Sequence, residues 1–93
     1  MYHIEAASPL DRGRIGLRFR DGFVGEVSIL NLIETGGVFG FLSDPEQFRK
    51  LDVGEDGRWL YWTDPAGDQI DLCADALRYE AEERAVEQMA AAE

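Results

Sequence analysis

Cysteine and histidine are nearly missing from this chain, with one of each, Cys73 and His3, seventy residues apart. A lone cysteine cannot close an internal disulfide, and one His with one Cys cannot supply the convergent ligands of a zinc site. Lysine occurs once, at Lys50, and all basic residues number nine against nineteen acids, for a formal charge of −10. Nucleic-acid binding draws most of its affinity from cations on phosphate, so this balance argues against DNA or RNA as a partner. No apolar run approaches the ~20 residues that cross a bilayer. The start, Met1-Tyr2-His3-Ile4-Glu5, lacks the basic and apolar regions of a secretory signal. The expectations are a reducing cytoplasm, no membrane and no cofactor.

What is present suffices for a core. Hydrophobic residues make up 45% of the chain, with five Phe, three Tyr and two Trp, which places it among ordered globular proteins. A chain of 93 residues suits one modest core that buries roughly 60 to 70% of the unfolded surface. The expected organisation is a single α+β domain over residues 1–79, followed by a C-terminal helix extension over 80–93 that is partly solvated. Charge is spread unevenly. Residues 1–41 carry five acids against four bases, whereas residues 42–93 carry fourteen against five. A basic protein partner suits that second half, although acidic surfaces also serve solubility alone.

Apolar alternation gives the clearest local structure. Ile15, Leu17 and Phe19 alternate with Arg14, Arg18 and Arg20, and Phe23, Val27 and Ile29 recur with the same parity after Asp21-Gly22. A two-residue loop would pair Leu17 with Glu26 and bury a carboxylate. A three-residue loop, Arg20-Asp21-Gly22, pairs Phe19 with Phe23, Leu17 with Gly25 and Ile15 with Val27, and places Gly22 where left-handed backbone is required. Glu26 then lies diagonal to both Arg14 and Arg18, so the arginines between positions 12 and 20 read as a solvated face.

Residues 2–7 read as a first strand before a connection through Ser8-Pro9-Leu10-Asp11-Arg12-Gly13. Leu30–Thr35 is one helical turn ended by Gly36-Gly37, and Val38–Leu42 is an apolar run that must pack. A short helix follows through about Lys50; Ser43 and Asp44 are alternative caps, the first by a capping box with Glu46, the second because Pro45 suits the first helical position. Leu51–Val53 and Arg58–Trp62 should pair as a second hairpin, with Trp59 and Tyr61 on one face and Trp62 on the other. After the Asp64–Asp68 turn and the strand Gln69–Leu72, the Ala- and Glu-rich segment from Ala74 is helical. Its stripe of Leu77, Ala81, Ala85 and Met89 weakens after Ala81, so it should dock through Leu77 and project beyond about Arg84. Phe19, Asp21, Gly22, Phe23, Phe48 and Trp62 are the expected structural residues, with Phe48 and Trp62 packed on the hairpin's apolar face.

Chemistry-bearing patterns are sparse. Asp64, Asp68 and Asp71 form a dense acidic group, but lack the spacing of a calcium loop and read as turn residues. Cys73 precedes a helix without a paired His and reads as an inert, partly buried thiol. Gly36-Gly37-Val38-Phe39-Gly40 lacks the Lys-Ser/Thr of a phosphate loop. No catalytic, metal or cofactor-binding residue is nominated.

Leu17–Gly22, Gly25-Glu26-Val27, Gly36–Phe39, Leu42–Phe48 and Leu60-Tyr61-Trp62, closed by Asp71–Tyr79, resemble in order the domain of unknown function 2442 family of small bacterial proteins. The likeness spans roughly residues 2–79. It implies an α+β fold of a few antiparallel strands with short helices, often encoded beside another small domain in a toxin–antitoxin-like arrangement. It names no catalytic residues. Two features depart from the family pattern: the turn Thr63–Asp68 is longer, and the helix runs past Tyr79. Some members carry a helix-turn-helix, for which residues 80–93 are too short.

Three functions follow for testing. The leading one is a non-enzymatic protein-binding module, antitoxin-like or accessory in a two-gene pair, that meets a basic partner such as an adjacent-gene product through Glu80, Glu83, Arg84 and Glu87. The alternatives are a nucleic-acid-associated regulator using Arg14, Arg18 and Arg20 of the first hairpin, and a small enzyme using Asp64, Asp68 and Asp71. A homodimer is a further candidate to cover Val86 and Met89.

Overall fold

In a computed structural model that describes residues 1–91, the first hairpin closes through the three-residue loop. The Phe19 amide donates to the Phe23 carbonyl at 2.9 Å, the Gly22 amide donates to the Phe19 carbonyl at 3.0 Å, and Gly22 has φ 97°. Strands β2 (Arg14–Phe19) and β3 (Val24–Ser28) therefore pair with Ile15 opposite Val27 and Leu17 opposite Gly25. The last two residues of the expected 80–93 extension lie outside the described residues.

Strand β1 (Ile4–Pro9) pairs antiparallel with the other side of β2, making a three-stranded sheet of order β1-β2-β3. It runs two residues later than the sequence suggested, because Ser8 and Pro9 pair with Gly16 and Ile15, and the connection shrinks to a tight turn. Arg12 and Gly13 both take positive φ, 55° and 72°, and the Arg14 amide closes onto the Asp11 carbonyl. This is the primed geometry whose twist matches a hairpin, here with arginine where glycine or asparagine is usual.

The middle of the chain winds round one end of this sheet. Helix α1 (Leu30–Thr35) buries Ile33, a 3-10 segment over Gly37–Ser43 buries Leu42, and α2 (Pro45–Phe48) buries Phe48. Helix α2 ends before Lys50. Asp44 is its cap, since the side chain accepts the Glu46 amide at 3.0 Å and Pro45 needs no acceptor.

A second three-stranded sheet, ordered β4-β5-β6, comprises β4 (Asp52–Val53), β5 (Trp59–Thr63) and β6 (Gln69–Cys73). Alternation along β5 buries Leu60 and Trp62 and leaves Trp59 and Tyr61 half-buried on the other face. The Trp62 indole stacks on Phe48 and donates to its carbonyl at 3.0 Å, so the largest buried side chain has its one donor satisfied. Phe19, Ile15 and Leu17 from the first sheet join Leu60 and Trp62 in one apolar cluster. Phe23 stands at its rim, half-buried, where the sequence placed it inside.

Backbone contact seals the two sheets together. Gly57, with φ 70°, is buried, and a Cβ there would stand 2.3 Å from the Ile4 carbonyl oxygen. Arg20 reaches Asp56 at 2.8 Å and the His3 ring nitrogen meets the Asp56 carbonyl at 2.7 Å across the same seam. Helix α3 (Ala74–Ala91) starts directly from β6 and lies along β3, burying Ala74, Leu77 and Ala81. The architecture is α+β, with two small antiparallel sheets, short helices and one C-terminal helix.

Candidate functional site

The orientation of α3 decides which of its side chains a partner can meet, and Arg78 fixes that orientation. The residue is 8% exposed, and its guanidinium lies 4.3 Å from the ring centre of Tyr2, 5.1 Å from Phe19 and 4.1 Å from Phe23. Its Nη1 donates to both Asp21 oxygens at 3.0 Å and its Nε to Glu82 at 2.9 Å. Aromatic faces stabilise a poorly hydrated cation, and the two carboxylates supply the counter-charge that burial makes necessary. Asp21 in turn accepts the Phe23 amide at 3.2 Å; that bond, helped by Arg78, holds its carboxyl below the ordinary range. Arg78 was not singled out from sequence. Its spacing of four from Glu82 was the available signal.

With Leu77, Arg78 and Ala81 turned inward, the 100° step of the helix sends Glu80, Glu83 and Glu87 outward together with Tyr79 and Val86. Those two apolar side chains are each 63% exposed. Arg84 leaves this group. It points back across β3 to Glu26 at 3.3 Å, and its Nε is buried without an acceptor. The sequence paired Glu80 with Arg84; the structure pairs Arg84 with Glu26 and Arg78 with Glu82, because both arginines lie on the packed side of the helix. Among the described residues, Glu80, Glu83 and Glu87 have no basic side chain within ion-pair distance.

The arginines of the first hairpin are engaged within the chain. Arg14 binds Asp11 and Glu26, Arg20 binds Asp56, and Arg18 approaches Glu5 at 3.9 Å. Glu26 thus bridges Arg14 and Arg84 instead of Arg14 and Arg18. Asp11 is held below its ordinary value foremost by its hydrogen bond to Arg14. Two depressions flank these elements. A shallow groove of 640 Å³ runs between α3 and the outer face of the first sheet, floored by Gly16, Gly25, Ala81 and Ala85. A cleft of 860 Å³ lies beside α1 and α2, lined by Leu10, Leu30, Ile33, Leu42 and Phe48.

Asp64, Asp68 and Asp71 line neither depression. Asp64 accepts the amides of Ala66 at 3.0 Å and Asp68 at 2.8 Å, which makes it the organiser of its turn. No group of three or more His, Cys, Asp or Glu able to hold a metal occurs among the described residues. Cys73 is exposed, not partly buried, because it sits on the outer side of β6. Gly36 and Gly37 take positive φ and lead into the 3-10 segment, so the glycine cluster turns the chain. Among the described residues, no helix is long and apolar enough to cross a membrane. Compared with known proteins, the chain matches no family model, no curated protein and no solved structure.

Proposed function

We propose that this protein is a non-enzymatic binding module that meets a basic protein through the outward face of α3. The observation that carries this reading is the set of carboxylates Glu80, Glu83 and Glu87, unpaired among the described residues, beside the exposed apolar side chains Tyr79 and Val86. Apolar contacts supply affinity at such a surface, while the charge steers encounter and selects a cationic partner. Two copies of this face would set glutamate against glutamate, which favours a different chain over self-association.

The resemblance to a family often encoded in two-gene pairs supports an adjacent-gene product as that partner, with this chain in the antitoxin-like or accessory role in the cytoplasm. The test is a pull-down with the neighbouring gene's product at low and high salt. Capture at low salt that weakens at high salt, and is lost in a Glu80→Lys, Glu83→Lys, Glu87→Lys variant of unchanged melting temperature, is the expected result. No capture at low salt would remove the reading.

A further inference from the structure

Strand β6 ends the second sheet, and its hydrogen-bond phase shows what that edge offers. The Asp64 amide donates to the Asp68 carbonyl at 2.8 Å, and the Ala74 amide to the Arg58 carbonyl at 2.8 Å. Bonded and non-bonded pairs alternate along an antiparallel ladder. The pairs between these two bonds are Thr63 with Gln69, Trp62 with Ile70, Tyr61 with Asp71, Leu60 with Leu72 and Trp59 with Cys73. Ile70 and Leu72 are therefore the residues bonded to β5. The amides and carbonyls of Gln69 and Asp71 and the amide of Cys73 point away from it, no other strand among the described residues pairs with that side of β6, and the Cys73 carbonyl opens helix α3.

The side chains beside this edge carry a matching chemical preference. Gln69, Asp71 and Cys73 are exposed on the same face as Trp59 and Tyr61. Tyr61 lies opposite both Asp71 and Asp52, and its hydroxyl donates to Asp52 at 3.3 Å. Among the described residues, none of Asp52, Asp68 and Asp71 has a basic partner within ion-pair distance. A cationic side chain laid over this face would meet carboxylates on either side of an aromatic ring. Edge strands are commonly blunted by lysine, proline or a bulge, and β6 has none of these. Its one charge, Asp71, repels a second β6 laid antiparallel in register and attracts a basic strand.

We infer that the free edge of β6 takes up an extended basic segment of a partner protein, with arginine or lysine at alternate positions, as a fourth strand of the second sheet. This site is separate from the outward face of α3 and stands or falls independently of it. Main-chain bonds to Gln69, Asp71 and the Cys73 amide supply the affinity, and Asp52, Asp68 and Asp71 select the cationic face.

The test uses the full chain and a fluorescently labelled peptide of alternating Arg and Thr. Three comparisons accompany it: the same peptide with Glu for Arg, one N-methylated on the amides of one edge, and one methylated on the other. Anisotropy should show binding by the Arg–Thr peptide, loss with Glu, and a weakening of about tenfold or more for one methylated isomer only. Saturating peptide should slow alkylation of Cys73. Asp71→Asn should weaken binding about fivefold, and Asp71→Pro, which removes an outward amide that β5 does not use, should abolish it with little change in melting temperature. The Glu80→Lys, Glu83→Lys, Glu87→Lys variant should bind the peptide nearly as well as the parent. Equal binding by both methylated isomers and the parent peptide, or unchanged Cys73 reactivity, would mean diffuse charge attraction and overturn the inference; so would absence of binding at low salt.

Discussion

Arg78 and Asp21 stand 57 residues apart in sequence, and Arg78 Nη1 donates to both Asp21 carboxylate oxygens at 3.0 Å. The pair ties the tip of the first hairpin to the start of the last helix. Tyr2, Phe19 and Phe23 pack about the same guanidinium, so its removal opens a hole as well as breaking an ion pair. Arg78→Ala should cost about 2 to 3 kcal/mol, read from urea unfolding. Arg78→Lys should recover only part of this, because an ammonium cannot stack on the rings and serve Asp21 and Glu82 together.

Acid should weaken the same seams. Asp56 is lowered from its ordinary value of 3.8, foremost by its hydrogen bond to Arg20, and Asp21 is lowered foremost by the Phe23 amide. A carboxyl whose folded pKa lies below its unfolded one contributes stability above the unfolded value and loses it as pH falls through the folded value. The melting temperature should therefore hold from neutrality to about pH 5 and then decline. The gap between the parent and Asp56→Asn should shrink on acidification. A gap that widens below pH 4 would contradict the assigned sign.

Phe19 is 1% exposed at the centre of the apolar cluster, and Phe19→Ala should cost about 3 to 5 kcal/mol in chemical denaturation. Ending the chain after Arg84 should cost far less. Val86 and Met89 are 63% and 71% exposed, so amides beyond Arg84 should exchange fast in the isolated protein and slow only on binding a partner.

Two turn residues should respond in opposite senses. Arg12 holds φ 55° in an exposed turn, and Arg12→Gly should raise stability by about 0.5 to 1 kcal/mol through relief of that backbone. Gly57→Ala should instead lower the melting temperature sharply, since its Cβ would strike the Ile4 backbone and no flexible side chain can yield.

Local order was legible in the residues. The parity of Ile15, Leu17, Phe19, Phe23 and Val27 leaves one register that buries no carboxylate, and the ladder follows it. The Ala- and Glu-rich run after Ala74 is helical, and its apolar stripe thins where exposure begins. Such features rest on neighbours within a few positions, whose periodicity and turn chemistry the sequence states directly. The choice of Asp44 over Ser43 as cap needed only one more local fact, the backbone angle before Pro45.

Tertiary structure decided the rest. Whether Arg84 meets Glu80 or Glu26, and whether Arg78 meets Asp21, depends on which side of α3 lies against β3, and a weak stripe does not specify that angle. The exposure of Cys73 likewise follows from β6 being an edge, which depends on the order of strands in a sheet assembled from distant segments. Sequence by itself determined most strands and helices, though not the bounds of β1 and α2 or the 3-10 form of Gly37–Ser43, because most elements close their hydrogen bonds locally or with a near neighbour. Their partners across the seams were set by packing, where shape and charge from distant parts of the chain must agree at once.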